Sequence, residues 1–489
     1  MKRYIGIDLG TSSVKLALVL EDGSIEKIVS RSYPISYPQD GWSEQSPEDW
    51  YNAALDGICE LVSDTEREKI EGISFGGQMH GLVVLDKDDR VIRPAILWND
   101  GRTKKETEYL NTAIGKATLS AYTANIAFAG FTAPKILWLK ENEPQNFKKI
   151  EKIMLPKDYL AYMLSGEFAT DYSDASGMLL LDVKNRCWSR EMLNICGVSE
   201  NQLPKLYESY EKIGTLKSEL ADRLGLGQVS IIIGAGDNAG AAVGTGTVGN
   251  GACNISLGTS GTVFVSQDKF FVDGSNALHS FCHSNGKYHL MGCILSAASC
   301  NKWWAEDILG TTDFRAEESE CEKYMGENQV FFLPYLMGER SPHNDVNARG
   351  AFIGMRPSTS RKEMTLAVLE GVAFALRDCV EIARAGGVGI DKTNICGGGA
   401  KSPLWRKIMA NVLGIPVVRP QIEEGPAYGG AILAMVGTGL YSTVEAATAS
   451  LIKAKDTTYP DPELTKKYEE KYQLFKKLYP ALKSIYKEF

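Results

Sequence analysis

Ile7-Asp8-Leu9-Gly10-Thr11-Ser12, close to the start of the chain, returns 248 residues later as Ile255-Ser256-Leu257-Gly258-Thr259-Ser260, with five of the six positions identical. Both copies sit between β-type runs. Around the first, Tyr4 to Leu9 and Val14 to Leu20 flank a Gly-Thr-Ser-Ser turn. A second turn, Glu21-Asp22-Gly23-Ser24, leads on to Ile25 and Ile28. Asp-Gly between apolar runs is a hairpin signal, so the chain opens as an antiparallel meander whose first turn is a polar glycine loop. A strand–loop–strand unit that recurs near the middle of a chain marks an internal duplication. It predicts two similar α/β lobes that face each other. The copies differ at one position, Asp8 against Ser256, so only the first carries a carboxylate.

The lobe boundary is expected near the glycine-rich stretch Gly234 to Gly251, which follows the β-branched run Val229 to Ile233 and precedes a small-residue helix. This divides the chain into residues 1–246 and 247–489. A length of 489 residues suits two or three domains. The hydrophobic share of 44% and charged share of 23% are those of a soluble globular protein. A net charge of -8 argues against a general nucleic-acid surface. It does not exclude phosphates, which backbone N–H groups and a metal ion can hold. Asp8 falls where the apolar core of a signal peptide would run, and Asp237 and Asn238 interrupt the longest apolar candidate, Ile231 to Val248. No secretion signal or membrane span is expected. The ten Cys residues lack the spacing of a disulfide framework, so a reducing cytoplasm is the expected compartment.

The first loop has the makings of a phosphate site. Gly10 lets the backbone approach a bulky anion, while exposed N–H groups and the hydroxyls of Thr11 and Ser12 can hold its oxygens. Asp8 beside phosphates would repel them unless a cation intervened, which implies Mg²⁺ bound largely through water. Lys15 can add positive charge. Gly258, Thr259 and Ser260 form the neutral counterpart. The alternative is a pair of hairpin turns with Asp8 as a turn cap.

Asp237 lies in Gly234-Ala235-Gly236-Asp237-Asn238, between an apolar strand and a helix. A carboxylate on a glycine loop at a strand's end can reach a bound hydroxyl and accept its proton. It can also serve as a helix N-cap, and the two roles are compatible. Gly397-Gly398-Gly399-Ala400-Lys401-Ser402 follows a β-type segment and opens a helix, as a turn would or as a loop against a flat ligand. Two further stretches carry hydrogen-bonding groups beside apolar surface. They are Gln78-Met79-His80 after a strand ending in Gly, and Trp98-Asn99-Asp100-Gly101-Arg102. The alternative there is a buried histidine and a structural Asp–Arg pair.

Paired hairpin loops with one Asp resemble the actin-like ATPases, whose ribonuclease H-like lobes clamp ATP. The resemblance narrows at two long segments. Gly130-Phe131-Thr132-Ala133-Pro134-Lys135-Ile136-Leu137-Trp138-Leu139-Lys140-Glu141-Asn142 resembles the first signature of the FGGY carbohydrate kinases. Gly350-Ala351-Phe352-Ile353-Gly354-Met355, continued by Glu363 to Glu370, resembles the second. The likeness runs from Tyr4 to about Gly437.

This resemblance implies an ATP cleft between two lobes, ATP and Mg²⁺ as cofactors, and Asp237 as the base that activates a sugar hydroxyl. It implies adenosine against Gly398, Gly399 and Ala400. Gln78, Met79, His80, Trp98, Asn99, Asp100 and Asn238 become sugar contacts. The Gln-Met-His-Gly and Trp-Asn-Asp-Gly-Arg pair is similar to the xylulokinase branch, and so implies phosphorylation of D-xylulose. Another sugar or polyol (ribulose, gluconate, glycerol) and a non-kinase actin-like ATPase are the alternatives. A homodimer is compatible with the family.

Three segments stay outside this scheme. His279-Ser280-Phe281-Cys282-His283 with His289 could suggest zinc, but reads better as a strand, a turn at Ser284-Asn285-Gly286 and a second strand. Phe332 to His343 is rich in turn formers and has no single role. Tyr468, Tyr472, Phe475, Leu478, Leu482 and Ile485 recur at helical spacing, which predicts a tail helix capping the second lobe and kinked or broken at Pro480.

Overall fold

The computed structural model describes residues 1–488. β1 (Arg3–Leu9), β2 (Ser13–Leu20) and β3 (Ile25–Ser32) form the expected meander. β4 (Ile70–Gly77) pairs with β1 in parallel. β5 (Lys212–Thr215) and β6 (Ser230–Ile232) complete the row β5-β6-β4-β1-β2-β3, and the short segment Ala235–Gly236 also pairs with β4. The central strand β1 is buried along almost its whole length, whereas β3 mixes exposed and partly buried residues as an edge strand does.

The second sheet contains β7 (Cys253–Leu257), β8 (Gly261–Gln267), β9 (His279–Cys282), β10 (Tyr288–Ile294), β11 (Thr393–Cys396), β12 (Val417–Pro420) and β13 (Ala454–Thr458). Its order is β9-β10-β8-β7-β11-β12-β13. Without β9 it repeats the first sheet strand for strand. β7 is antiparallel to β8 and parallel to β11, as β1 is to β2 and β4. The outer strands follow the same pattern. The likeness of one six-residue stretch thus extends to a whole sheet.

Between β4 and β5 the chain builds an insert, which includes α1 (Thr132–Asn142) and whose core also takes in Phe281 and Cys282 of β9 and Met291 of β10. α2 (Pro156–Ser165) leaves that insert and packs on the first sheet. α3 (Asp237–Gly244) follows β6 directly. In the second half, α4 (Arg361–Ala385) and α5 (Pro403–Leu413) pack on the second sheet. α6 (Gly425–Gly437) crosses over: it shares an apolar core with Tyr4, Ala17 and Val19 of the first sheet and with Ala239 and Val243 of α3. Small residues make this possible. A Cβ on Gly429 would fall 1.9 Å from the carbonyl oxygen of Gly240, and one on Gly6 would fall 1.8 Å from that of Ala427. Nothing larger than glycine fits at either contact.

α7 (Pro462–Tyr486) buries Tyr468, Tyr472, Phe475, Tyr479 and Tyr486 in the second core. The helix is not broken at Pro480 but runs through it. An interior proline costs about 3 kcal/mol or more. Anchors on either side offset that cost. Tyr479 stacks on His343 at 3.6 Å and donates to Asp345 Oδ2 at 2.7 Å, and Tyr486 is buried beyond the proline.

Candidate active site

The first hairpin loop is closed by the Gly10 N–H, which donates to the Ser13 carbonyl at 3.0 Å. Four side chains grip it. Gln45 Nε2 donates to the Thr11 carbonyl at 2.6 Å and Gln78 Nε2 to that of Gly10 at 3.3 Å. The Tyr33 hydroxyl also donates to the Gly10 carbonyl, and Trp98 Nε1 donates to Thr11 Oγ1 at 3.0 Å. The carbonyls of Gly10 and Thr11 are thereby occupied, while Ser12 stays exposed. Gln45 and Tyr33 carry no local motif, so sequence reasoning passed over them. Gln78 was expected to hold sugar. Buried against the loop, its amide nitrogen braces it, while its Oε1 has no protein partner among the described residues.

Asp8 stands opposite Lys15 across the β1–β2 ladder. Burial and the nearby charge of Asp237 push the Asp8 carboxyl up to about 7, against the pull of Lys15. Lys15 is not a free cation: its ammonium pairs with Glu424 at 2.9 Å, just ahead of α6.

Asp237 is the first residue of α3, and Gly236 takes the N-cap place. Its Oδ1 accepts from the Asn238 N–H at 2.6 Å and from Asn238 Nδ2 at 2.8 Å. Burial pushes the carboxyl up to about 6 against those two bonds. A carboxylate with a pKa near the working pH is well matched to general-base work. Asn238 Nδ2 also approaches Met79 Sδ at 3.9 Å, which brings Asp237 and the Met79-His80 loop together.

His80 sits at φ 70° with its Nδ1 2.7 Å from the Gly177 carbonyl. A carbonyl only accepts, so the proton lies on Nδ1 and Nε2 keeps its lone pair. Burial and Lys135 push this ring down to about 3, which keeps it neutral. It stacks on Phe131 at 4.6 Å. The backbone is pinned by the segment 130–142: Lys135 Nζ donates to the His80 carbonyl at 2.8 Å, and Thr132 Oγ1 does so at 3.1 Å.

Two expectations are corrected here. Asp100 is 2% exposed, and both its oxygens are taken, by Arg102 and by the Ser43 N–H. It forms the structural Asp–Arg pair, not a sugar contact. Ala400 faces the second core and does not line the cavity beside Gly398 and Gly399. The neighbouring Trp98 is 45% exposed, and Asn99 lines a shallow hollow of about 380 Å³ beside Tyr37 and Trp42.

Gly258, Thr259, Gly398 and Gly399 share one cavity of about 770 Å³, with Phe314 and Trp405 among its apolar walls. The second loop is docked on the start of the following helix, where the Ala297 N–H donates to the Thr259 carbonyl at 2.9 Å. Ser260 follows Thr259 in the same turn, ahead of β8.

The histidine cluster packs among aromatic rings. His279 stacks on Phe281 and His289 on Phe264. His283 Nε2 donates to the Thr247 carbonyl at 3.0 Å while its Nδ1 accepts from the Ser284 N–H. No group of three or more His, Cys, Asp or Glu that could hold a metal ion occurs among the described residues. From the 332–343 loop, Arg340 lies over Phe128 at 5.2 Å, so a cation of the second half borders the aromatic wall of the His80 pocket.

The model of the FGGY carbohydrate kinase N-terminal domain matches residues 3–244, and that of the C-terminal domain matches residues 253–438. The chain belongs to the FGGY family of carbohydrate kinases.

Among relatives of this FGGY kinase, the xylulose kinase of Escherichia coli K12 is 39% identical over 482 residues, covering 98% of this chain and 99% of that protein. The ligand-bound xylulose kinase of Lactobacillus acidophilus superposes with a TM-score of 0.96 at 27% identity over all of both chains. A gluconate kinase from the same organism reaches 0.95, also at 27%, over 100% of this chain and 99% of its own. The FGGY fold therefore serves more than one sugar, and selection rests on pocket side chains. No helix among the described residues is long and apolar enough to cross a membrane.

Proposed function

We propose that this FGGY kinase transfers the γ-phosphoryl group of ATP to a hydroxyl of D-xylulose, giving D-xylulose 5-phosphate. The observation that carries the reading is the pairing of Asp237 with a neutral His80 through the Met79–Asn238 contact. The curated relatives of near-full length that are named xylulose kinases support the choice of sugar.

In this reading Met79 faces the carbon skeleton of the sugar, and His80 Nε2 accepts one hydroxyl. Trp98 borders the site, and Asn99 and Asn238 offer further hydrogen bonds. Asp237 accepts the proton of the attacking hydroxyl as its oxygen bonds to the γ-phosphorus. The bond from that phosphorus to the bridging oxygen breaks, and ADP leaves with the electron pair. Gly10, Thr11 and Ser12 hold the phosphates from one lobe (residues 1–246), and Gly258, Thr259 and Ser260 from the other (247–489). Adenosine lies in the cavity beside Gly398 and Gly399.

Asp8 fits a divalent cation: it is a half-buried carboxyl raised by desolvation and by the nearby charge of Asp237, and a cation there would offset both. Mg²⁺ would neutralise phosphate charge there, held by Asp8 largely through water. Alignment and charge neutralisation then leave the base as the main chemical contribution of the protein. Ten free thiols are in keeping with a reducing cytoplasm. Light scattering would decide between a monomer and the homodimer the family allows.

The test is ADP release with Mg²⁺–ATP across D-xylulose, D-ribulose, L-ribulose, gluconate and glycerol. Turnover strongest with D-xylulose is expected. Preference for another member would keep the kinase and overturn the sugar. Hydrolysis indifferent to every sugar would overturn transfer itself.

A further inference from the structure

Behind the Asp237 loop lies a cluster of charge with no solvent contact. Lys157, at the start of α2, is fully buried with Asp158, Asp171 and Asp174 around it. Its ammonium is 2.7 Å from Asp158 Oδ1, 3.1 Å from Asp171 Oδ1 and 3.9 Å from Asp174 Oδ2. Burying a cation and several carboxyls is costly, and well-packed apolar side chains would often serve stability as well or better. Burial and neighbouring negative charge push Asp174 well above the ordinary carboxyl range, which leaves fewer ionised groups around the lysine.

The bonds made by Asp171 show what the cluster holds. Its Oδ2 accepts from the Ser173 N–H at 2.8 Å, the Ser173 hydroxyl at 2.5 Å and the Ser209 hydroxyl at 2.7 Å. Ser173 Oγ in turn accepts from the Gly236 N–H at 3.2 Å, one residue before Asp237. The Ser209 carbonyl accepts from the Gly234 N–H at 3.0 Å. Both ends of the Gly234–Gly236 turn are therefore tied to one carboxylate oxygen. The same segment carries Gly177, whose carbonyl fixes the His80 ring. Ordinary N-capping explains the bond to the Ser173 N–H, but neither the Ser209 bond nor the buried lysine.

We propose that Asp171, held by Lys157, is a positioning residue: through Ser173, Ser209 and Gly177 it sets the Asp237 carboxylate and the His80 ring at a fixed separation. This rests on the reading of Asp237 as the base and His80 as a sugar contact. The sequence 169–177 carries no motif by itself, because its partners lie 38 and 63 residues away.

The test is a double-mutant cycle on kcat in the full chain. Ser173→Ala removes only the hydroxyl that links Asp171 to Gly236. A misplaced catalytic group costs on the order of 10²-fold, so kcat should fall roughly 10- to 100-fold. KM for ATP and the melting temperature should stay near those of the parent. In an Asp237→Asn background the same substitution should change kcat by less than about threefold, because a group that acts through the base has nothing left to position. Ser209→Ala, at the other end of the turn, should behave alike. Equal losses in both backgrounds, or an unchanged kcat in Ser173→Ala, would overturn the proposal. Near-normal turnover of Asp237→Asn alone would instead remove the base, and the proposal with it.

Discussion

The hairpin at Gly10 and the hairpin at Gly258 occupy equivalent places in two sheets of the same strand order, yet their chemistry differs. Asp8 faces Lys15 across the first, and Ser256 faces Thr262 across the second. The contrast continues down each sheet. The first lobe's β6 leads to Asp237 at the head of α3, whereas β12 leads to Gly425 at the head of α6. After β4 come Gln78, Met79 and His80, whereas after β11 come Gly397, Gly398 and Gly399. The duplication supplied one scaffold twice, and the carboxyls of Asp8 and Asp237 stand on the first copy alone.

The largest break in this comparison comes from the base proposed on the first copy. Asp237→Asn should keep the fold and KM values but lower kcat by about 10²- to 10⁴-fold, as steady-state ADP release would show. If turnover stayed near normal, the asymmetry would not be catalytic. The same carboxyl predicts a pH profile. A base must be unprotonated, and burial raises Asp237 to about 6. So kcat/KM should be flat above that pH and fall about tenfold per unit below it. A profile with no acid limb between pH 5 and 7 would assign the base elsewhere.

Asp8 and Ser256 test the loops directly. Asp8→Asn should cost roughly 10- to 100-fold and raise the Mg²⁺ concentration needed for half-maximal rate, as expected for a group acting through metal-bound water. Ser256→Ala should change the rate only slightly. Similar losses at both would mean the hairpins share the phosphate charge equally. The smallest effect belongs to Lys15→Gln. Its ion pair with Glu424 is partly exposed and contributes about 0–1 kcal/mol. KM for ATP should move by a fewfold at most, and a rise above tenfold would show that Lys15 leaves Glu424 to bind phosphate.

Much of this was legible in the sequence because it is local. Glycine loops between apolar runs announce turns that need small residues, and helical periodicity marks buried faces such as that of the tail, where Tyr468, Tyr472 and Phe475 are core residues. The repeated six-residue stretch marks two related sheets by itself. Asp237 after a β-branched run had its position at a helix start written into its neighbours.

What only the tertiary structure decided are pairings between distant side chains. Asp100 became a scaffold residue because Arg102 and Ser43 claim both its oxygens, and Gln78 became a brace because the Gly10 carbonyl lies within its reach. Ala400 turned to the core, and α7 ran through Pro480 because tyrosines on either side are anchored. α6, from the second half of the chain, lies on the first sheet because Gly6 and Gly429 let backbones touch. A sequence pattern records what each backbone stretch can adopt. The partner that satisfies a buried polar group, or takes the space beside a glycine, is chosen only when remote elements pack.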